Sequence, residues 1–445
     1  MDAAAAKPGS ALPAAAAARF LLLLLIVAQV ILRPRIDVFG LGAVPIDLLY
    51  LALFSAWLAL LASGQARVPP HKAWWLLAAY LAVMLASALG SEAPWRSATK
   101  LLTQIYLLSL PLIVCTLVDD GSSLRRAVRW WLFGTAIVAG AAVVGLIAFA
   151  VDPHGPIVAP LRFHFGTLVP GDYPRFRLTF VNANMACNYL VVSLAILLAA
   201  RRMGWIGKTP FRLLLAGILI AAATTISPGL GGLAIALAIW IWLLLRESRP
   251  TAAKLALAAG AGAGLLFLAA MAVTPVIHPT APFLIPVPAL DLTLAPAGRL
   301  MIWIDAVRNF LADPLLGRGI GVDAVDVRYL APAGNLQRLT DAHNMFLNIA
   351  VQCGIPGLAA ILALVVYAFR HTAPFRFLPG GANTMRLGLG LAFLNGFAYQ
   401  GLGGSFEDSR HLWLLFGLFL ASGRIEAMAA DRGEAAPELS GSRDG

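Results

Sequence analysis

An imidazole, a carboxylate and two amides crowd the stretch Thr340-Asp341-Ala342-His343-Asn344-Met345-Phe346-Leu347-Asn348, where a long apolar run begins. A neutral imidazole takes a proton from a hydroxyl near pH 7, which makes His343 a candidate general base. Asp341 is placed as the N-cap of the following helix, its carboxylate accepting backbone N–H bonds one turn in. His343 is then a first-turn residue, where the positive end of the helix dipole and nearby arginines disfavour imidazolium. Residues two apart on a helix do not face each other, so Asp341 is expected to cap rather than to orient His343. A histidine that merely caps or anchors the helix at an interface fits the same residues, and the sequence leaves both readings open.

Arginines supply the second kind of chemistry. A guanidinium suits phosphate because its fixed fork of donors matches the oxygens and its charge persists at any relevant pH. Gly298-Arg299-Leu300-Met301-Ile302-Trp303 opens a helical pattern, and Gly317-Arg318-Gly319-Ile320-Gly321 follows Asp313-Pro314, with glycines that let backbone approach a bulky ligand. Tyr173-Pro174-Arg175-Phe176-Arg177 continues to Asn182-Ala183-Asn184, two arginines and two amides able to hold a diphosphate and sugar hydroxyls. The bland readings stand beside these: Arg299 snorkelling to headgroups, a glycine-rich turn, and the Arg and aromatic residues common at that depth. Glu407-Asp408 and the Asp323, Asp326 pair are carboxylates of a sort usually solvated or capping, and no metal site is expected. A P-loop, a dinucleotide glycine fingerprint and a Gly-x-Ser-x-Gly turn are all missing, so nucleotide-driven transport and serine hydrolysis lack their parts.

A membrane bundle has to carry these residues. Across 445 residues, 60% are hydrophobic and 12% charged, with a mean hydropathy of +0.81, which excludes soluble domains. The net charge of +11 sits on short loops between apolar runs, so it reports topology and not nucleic-acid binding. Runs of roughly 20 apolar residues mark twelve spans. They lie near 14–32, 44–63, 73–90, 101–118, 130–151, 181–200, 213–227, 229–245, 255–275, 344–369, 387–404 and 411–425. The N-terminal stretch resembles a signal peptide but reads as a retained first span, because the next span follows at once. Cys115, Cys187 and Cys353 each fall inside an apolar run, which argues against a disulfide framework or a zinc site.

Most of the 33 Lys and Arg, and fewer than half of the 22 Asp and Glu, fall on the side of the N-terminus. The positive-inside rule then puts both termini in the cytoplasm. The organisation is 1–275 for spans one to nine, with an external loop near 152–180; 276–343 for a large external loop; 344–425 for the last three spans; and 426–445 for a polar cytoplasmic tail expected to be disordered. The large loop begins Pro-rich and extended, then turns helical from Arg299 to Leu311. Leu300, Trp303, Val307 and Phe310 recur there at the spacing of an amphipathic helix that lies on the membrane or packs on the spans. No internal repeat of the transporter kind is visible.

Three motifs in this order bracket the large loop: Gly298-Arg299…Trp303, then Pro314-Leu315-Leu316-Gly317-Arg318-Gly319, then His343-Asn344…Leu347…Gly354-Ile355-Pro356-Gly357. With Arg177…Phe180…Asn182…Asn184 before the sixth span, the chain resembles the O-antigen ligase and polymerase superfamily of bacterial inner-membrane glycosyltransferases. It departs from that pattern at Ser227-Pro228, where many relatives carry Ser-Arg. The resemblance implies an all-α, GT-C-like polytopic enzyme that moves a glycan from undecaprenyl diphosphate to an acceptor at the periplasmic face. In the ligases the acceptor is lipid A-core, giving lipopolysaccharide, and transfer is inverting and needs neither metal, nucleotide nor other cofactor. Carried onto this chain, His343 is the base and Arg299 the catalytic cation. Arg177, Arg175 and Arg318 are candidates for the diphosphate, and Asn182, Asn184, Asn344 and Trp303 for the substrates among membrane lipids. The rival readings are an O-antigen polymerase, a protein O-oligosaccharyltransferase, and a lipid-linked glycan transporter without chemistry. The transporter predicts ionisable residues deep in the spans, which are nearly free of them.

Overall fold

The computed structural model describes residues 11–34, 36–38, 41–165, 174–227, 229–245, 251, 255, 259, 273–275, 285–287, 292–296, 298–330, 336–372, 383–403 and 409–432. Helices dominate. They are α1 (Ala11–Ala28), α2 (Pro45–Ala62), α3 (Ala73–Leu89), α4 (Pro94–Leu117), α5 (Gly121–Val151), the single turn α6 (Val158–Leu161), α7 (Ala183–Arg202), α8 (Lys208–Thr225), α9 (Gly229–Leu245), α10 (Gly298–Ala312), α11 (Met345–Thr372), α12 (Thr384–Gly403) and α13 (Arg410–Asp431). Seven of them, α2, α4, α5, α7, α8, α11 and α13, are long and apolar enough to cross a membrane, and Ala14–Ala28, Ala73–Leu89 and Gly232–Trp242 are shorter apolar stretches. The chain is an all-α polytopic membrane protein.

Every expected span but the ninth coincides with a helix. The ninth, 255–275, lies outside the described residues except for isolated positions and its last three residues, Val273–Pro275, which form a strand. The last helix also runs past its expected end, to Asp431, so part of the expected tail is helical. Polar residues cap helix starts: the Asp120 carboxylate accepts Ser123 N–H at 2.6 Å ahead of α5, and the Asn182 amide accepts Met185 N–H at 2.7 Å ahead of α7.

α7 is the hub, buried along most of its length and packed by α5, α8, α9 and α12. Several polar side chains inside the bundle pair with one another. Trp131 Nε1 donates to Ser193 Oγ at 2.9 Å, and Asn188 donates to Gly396 O at 3.0 Å while its Oδ1 lies 2.6 Å from His411 Nε2. Up-and-down connectivity gives the bundle two ends. Arg19–Asp119 and Arg424 on Val118 O close one; Arg410–Asp47, Arg96–Asp323 and Leu32 N–H on Thr179 O close the other, where the large loop lies.

The loop end carries short strands, all but the bundle's decoration: β3 (Arg162–Phe165) pairs with β4 (Pro174–Phe176), β7 (Leu292–Pro296) sits between β5 (Val273–Pro275) and β6 (Ile285–Val287), and β8 (Val327–Leu330) pairs with β9 (Leu336–Leu339). A further pair, β1 (Ile36–Val38) with β2 (Leu41–Ala43), links α1 to α2. The amphipathic helix α10 packs on α11. Its buried face is Ile302 and Ala306 with Phe310 against them, meeting Ala324, Val325, Ala342 and Val351. The observed face is rotated from the expected stripe: Val307 is exposed, Trp303 sits at the edge of the face and Phe310 belongs to both, while the Leu300 side chain lies outside the described residues.

Candidate active site at the loop end

His343 does not lie in the first turn of α11. The helix begins at Met345, and Asn344 is its cap, its Oδ1 accepting Phe346 N–H at 3.0 Å and Leu347 N–H at 3.2 Å. His343 precedes it with φ +48°, a left-handed conformation that residues with a Cβ seldom adopt. That turn brings together what a helix would keep apart. The Asp341 carboxylate accepts the His343 backbone N–H at 2.6 Å, and the same oxygen lies 3.3 Å from ring Nδ1. Asp341 is therefore the neighbour that orients His343, and not the helix cap that the spacing suggested.

Four further contacts fix the turn. Asn348, one turn into α11, donates from Nδ2 to Asp341 Oδ2 at 3.1 Å and accepts Ala342 N–H at 2.9 Å. Trp303 Nε1 donates to Ala342 O at 3.0 Å, tying α10 to the residue beside His343. The Ala342 side chain is buried in the small core under α10. The imidazole keeps 43% of its side chain accessible and the Asp341 carboxylate 36%. Nδ1 beside a carboxylate is the natural seat of the ring proton, which leaves the lone pair on Nε2, at the other edge of the ring.

Arg299 opens α10 one turn before Trp303, so backbone position puts both on one face of the helix, about 6 Å apart along its axis. That is the face that Trp303 turns to Ala342. The Arg299 side chain lies outside the described residues.

Arg318 has a different place. The α11 helix breaks at Gly354, whose φ is +63°. The backbone groups freed at the break are taken by the segment after Pro314: Arg318 N–H donates to Val351 O at 3.0 Å, Gly319 N–H to Gln352 O at 3.1 Å, and Ile355 N–H to Pro314 O at 2.8 Å. Gly317 and Gly354 make the approach possible, since a Cβ on either would stand 2.5 Å from backbone of the other segment. These glycines accommodate the protein's own helix where a ligand was expected. The Arg318 guanidinium binds Glu92 at 3.0 Å, and that partnership raises its pKa above the ordinary arginine value.

Arg175 and Arg177 part company. Arg175 donates to Thr225 O at 3.1 Å and to Asn184 Oδ1 at 2.9 Å, and Ser227 Oγ donates to the same Asn184 oxygen at 2.6 Å while lying 2.6 Å from Tyr399 OH. This cluster joins the loop-end tips of α7, α8 and α12. It reaches toward the His343 turn, because Gly401 on α12 lies against the Phe346 ring at the start of α11. Arg177 instead donates to Pro160 O at 3.3 Å, beside Arg33. Asn182 is spent as the α7 cap.

Asp323 and Asp326 are ion-paired with Arg96, Arg328 and Arg338, and among the described residues no group of His, Cys, Asp and Glu could hold a metal ion. Glu407 and Asp408 lie outside the described residues. The sequence reading missed Asn348, Ser227 and Tyr399 as parts of these clusters. The amide spacing Asn344…Asn348, four residues on one helix face, was the signal available for the first; nothing local marked the other two.

Fold and site together define a multi-pass helical membrane protein that carries histidine, arginine and amide side chains at one end of its bundle. Residues 187–362 match a protein family described as O-antigen ligase. The matched segment runs from α7 through the large loop into α11, and so holds Arg299, Trp303, Arg318, His343 and Asn344 but not Arg175, Arg177, Asn182 or Asn184. Compared with curated proteins, the chain gives no match.

Proposed function

We propose that the protein is an O-antigen ligase of the bacterial inner membrane, transferring a glycan from undecaprenyl diphosphate to a hydroxyl of lipid A-core at the periplasmic face. The observation that carries the reading is the Asp341–His343 pair on its strained, fourfold-braced turn, within a segment that matches the ligase family. Nε2 of His343 takes the proton as the acceptor hydroxyl attacks the anomeric carbon of the donor, and the bond to undecaprenyl diphosphate breaks with inversion. No metal takes part. Asp341 stabilises the imidazolium that forms and holds the ring in the tautomer that presents Nε2. Arg299 and Arg175 neutralise charge on the departing diphosphate, Asn184 aligns Arg175, and Asn344 and Trp303 border the acceptor. Both lipid-linked substrates need a cleft open to the bilayer, with the reacting groups at headgroup depth.

Deleting the gene tests the reading and separates it from the polymerase alternative. A ligase mutant accumulates long lipid-linked glycan and makes lipopolysaccharide without O-antigen, and the wild-type gene restores it. A single repeat unit capping lipid A-core in the mutant would instead establish a polymerase. Unchanged lipopolysaccharide would dismiss both.

A further inference from the structure

The turn that carries Arg177 is built as a platform for charge. Phe176, Leu178 and Phe180 are each buried to 1% or less, while Arg177 between the first two is only partly buried. The alternation is kept through a left-handed Leu178, with φ +55°. Hydrogen bonds pin three segments into one unit: Arg177 and Leu178 N–H both donate to Leu161 O, at 2.9 and 3.1 Å, and Leu32 N–H donates to Thr179 O at 3.1 Å. The outer end of α1, the α6 turn and the segment before α7 therefore move together.

On this unit two guanidiniums converge on one carbonyl. Arg33 Nη1 and Arg177 Nε donate to Pro160 O at 3.2 and 3.3 Å. Among the described residues neither has a carboxylate partner. Each keeps donors that Pro160 O does not use, since a guanidinium has five. Burial and the Arg33 charge push the Arg177 pKa below the ordinary value, as expected of a like-charged pair with no anion between its members. Exposed apolar side chains come from these segments and from the end of α5 that leads into them: Ile31 two residues before Arg33, Ile157 at the entry to α6, and Val151 at the end of α5. Basic forks beside exposed aliphatic surface fit a ligand that is anionic at one end and hydrocarbon at the other. Free phosphate has no use for the second feature, and an acidic peptide has little.

We propose that Arg33 and Arg177 form a binding site for the phosphate headgroup of an anionic membrane lipid, separate from the Arg175–Asn184 cluster and from the His343 turn. The site goes beyond the transfer reaction and does not depend on it. It holds an annular lipid at the rim formed by α1, α5 and α6, with the phosphate bridging the two guanidiniums and the acyl chains along Ile31 and Val151.

Native mass spectrometry of the full-length protein, titrated separately with phosphatidylglycerol, phosphatidylcholine and undecaprenyl diphosphate, tests the assignment. Wild type is expected to bind its first phosphatidylglycerol about tenfold more tightly than phosphatidylcholine. The double variant Arg33→Gln/Arg177→Gln should lose that preference and keep its affinity for undecaprenyl diphosphate. Arg33→Lys/Arg177→Lys, which retains both charges, should keep most of the preference and guards against loss through misfolding. Arg308→Gln, which removes an exposed charge from α10, should change nothing. An undiminished preference in the Gln double variant overturns the proposal. So does selective loss of undecaprenyl diphosphate, which would put Arg177 with the donor. Failure of the ligase reading would leave the phosphatidylglycerol result untouched.

Discussion

Two polar segments meet the outer half of α11, one at its start and one at its break, and they spend their hydrogen bonds differently. At the Gly354 break, the Pro314–Gly319 segment takes up the backbone groups freed by the kink, and its arginine is paired with Glu92. The hydrogen bonds of this clip go mainly to the backbone of α11 and to Glu92. At the His343 turn, every surrounding group is also engaged, yet all of the bonds hold one ring whose outer edge is open. Both regions use positive φ, but glycine adopts it at little cost in the clip, whereas His343 adopts it under strain. A motif rich in glycine and arginine can thus be architecture, while strain on a residue with a side chain marks the place where position matters more than stability.

Substitutions can break this contrast. Gly354→Ala should have the largest effect on the clip: a Cβ at φ +63° and 2.5 Å from Leu315 O costs about 2–3 kcal/mol or more, lowering folded yield and the melting temperature in detergent. Equal melting of the variant and wild type would show that the clip is not what holds α11. Asp341→Asn keeps an acceptor for the His343 N–H but removes the negative charge beside Nδ1. Transfer should fall about 10-fold, a fraction of a full general-base contribution, with melting nearly unchanged; a purely structural Asp341 would give the opposite split. Trp303→Phe deletes one hydrogen bond to Ala342 O, worth about 1 kcal/mol, and should slow transfer several-fold by loosening the turn. Arg318→Gln and Glu92→Gln should each cost less than about 1 kcal/mol of stability, and the double variant no more than either, because the pair is partly exposed. A collapse of transfer in Arg318→Gln alone would move this arginine from the clip into the diphosphate site.

The spans were readable because long apolar runs ended by turn residues have few alternatives in a bilayer. The residues around the site were readable as a set, but their partnerships were not. Spacing alone favours Asp341 as the cap, since it presumes helix from His343 onward; a left-handed residue leaves little mark in sequence when it is not glycine. The glycines at 317 and 354 announced close approach without saying to what. The stripe on α10 was misplaced because Trp303 counts as apolar in a periodicity, although its indole N–H seeks a carbonyl and so rides at the edge of the buried face. In sequence Arg33 is only the end of an apolar run; the fold sets it beside Arg177.

The central claim is that the Asp341-braced imidazole removes the acceptor's proton. Its most direct test is transfer by the purified protein from undecaprenyl-diphosphate-linked glycan to lipid A-core, comparing wild type with His343→Ala and with His343→Asn, a residue that tolerates the left-handed backbone. Rates about 10²–10⁴-fold below wild type, with both variants folded and still binding donor, are the predicted result. Transfer at near wild-type rates by either folded variant would contradict it.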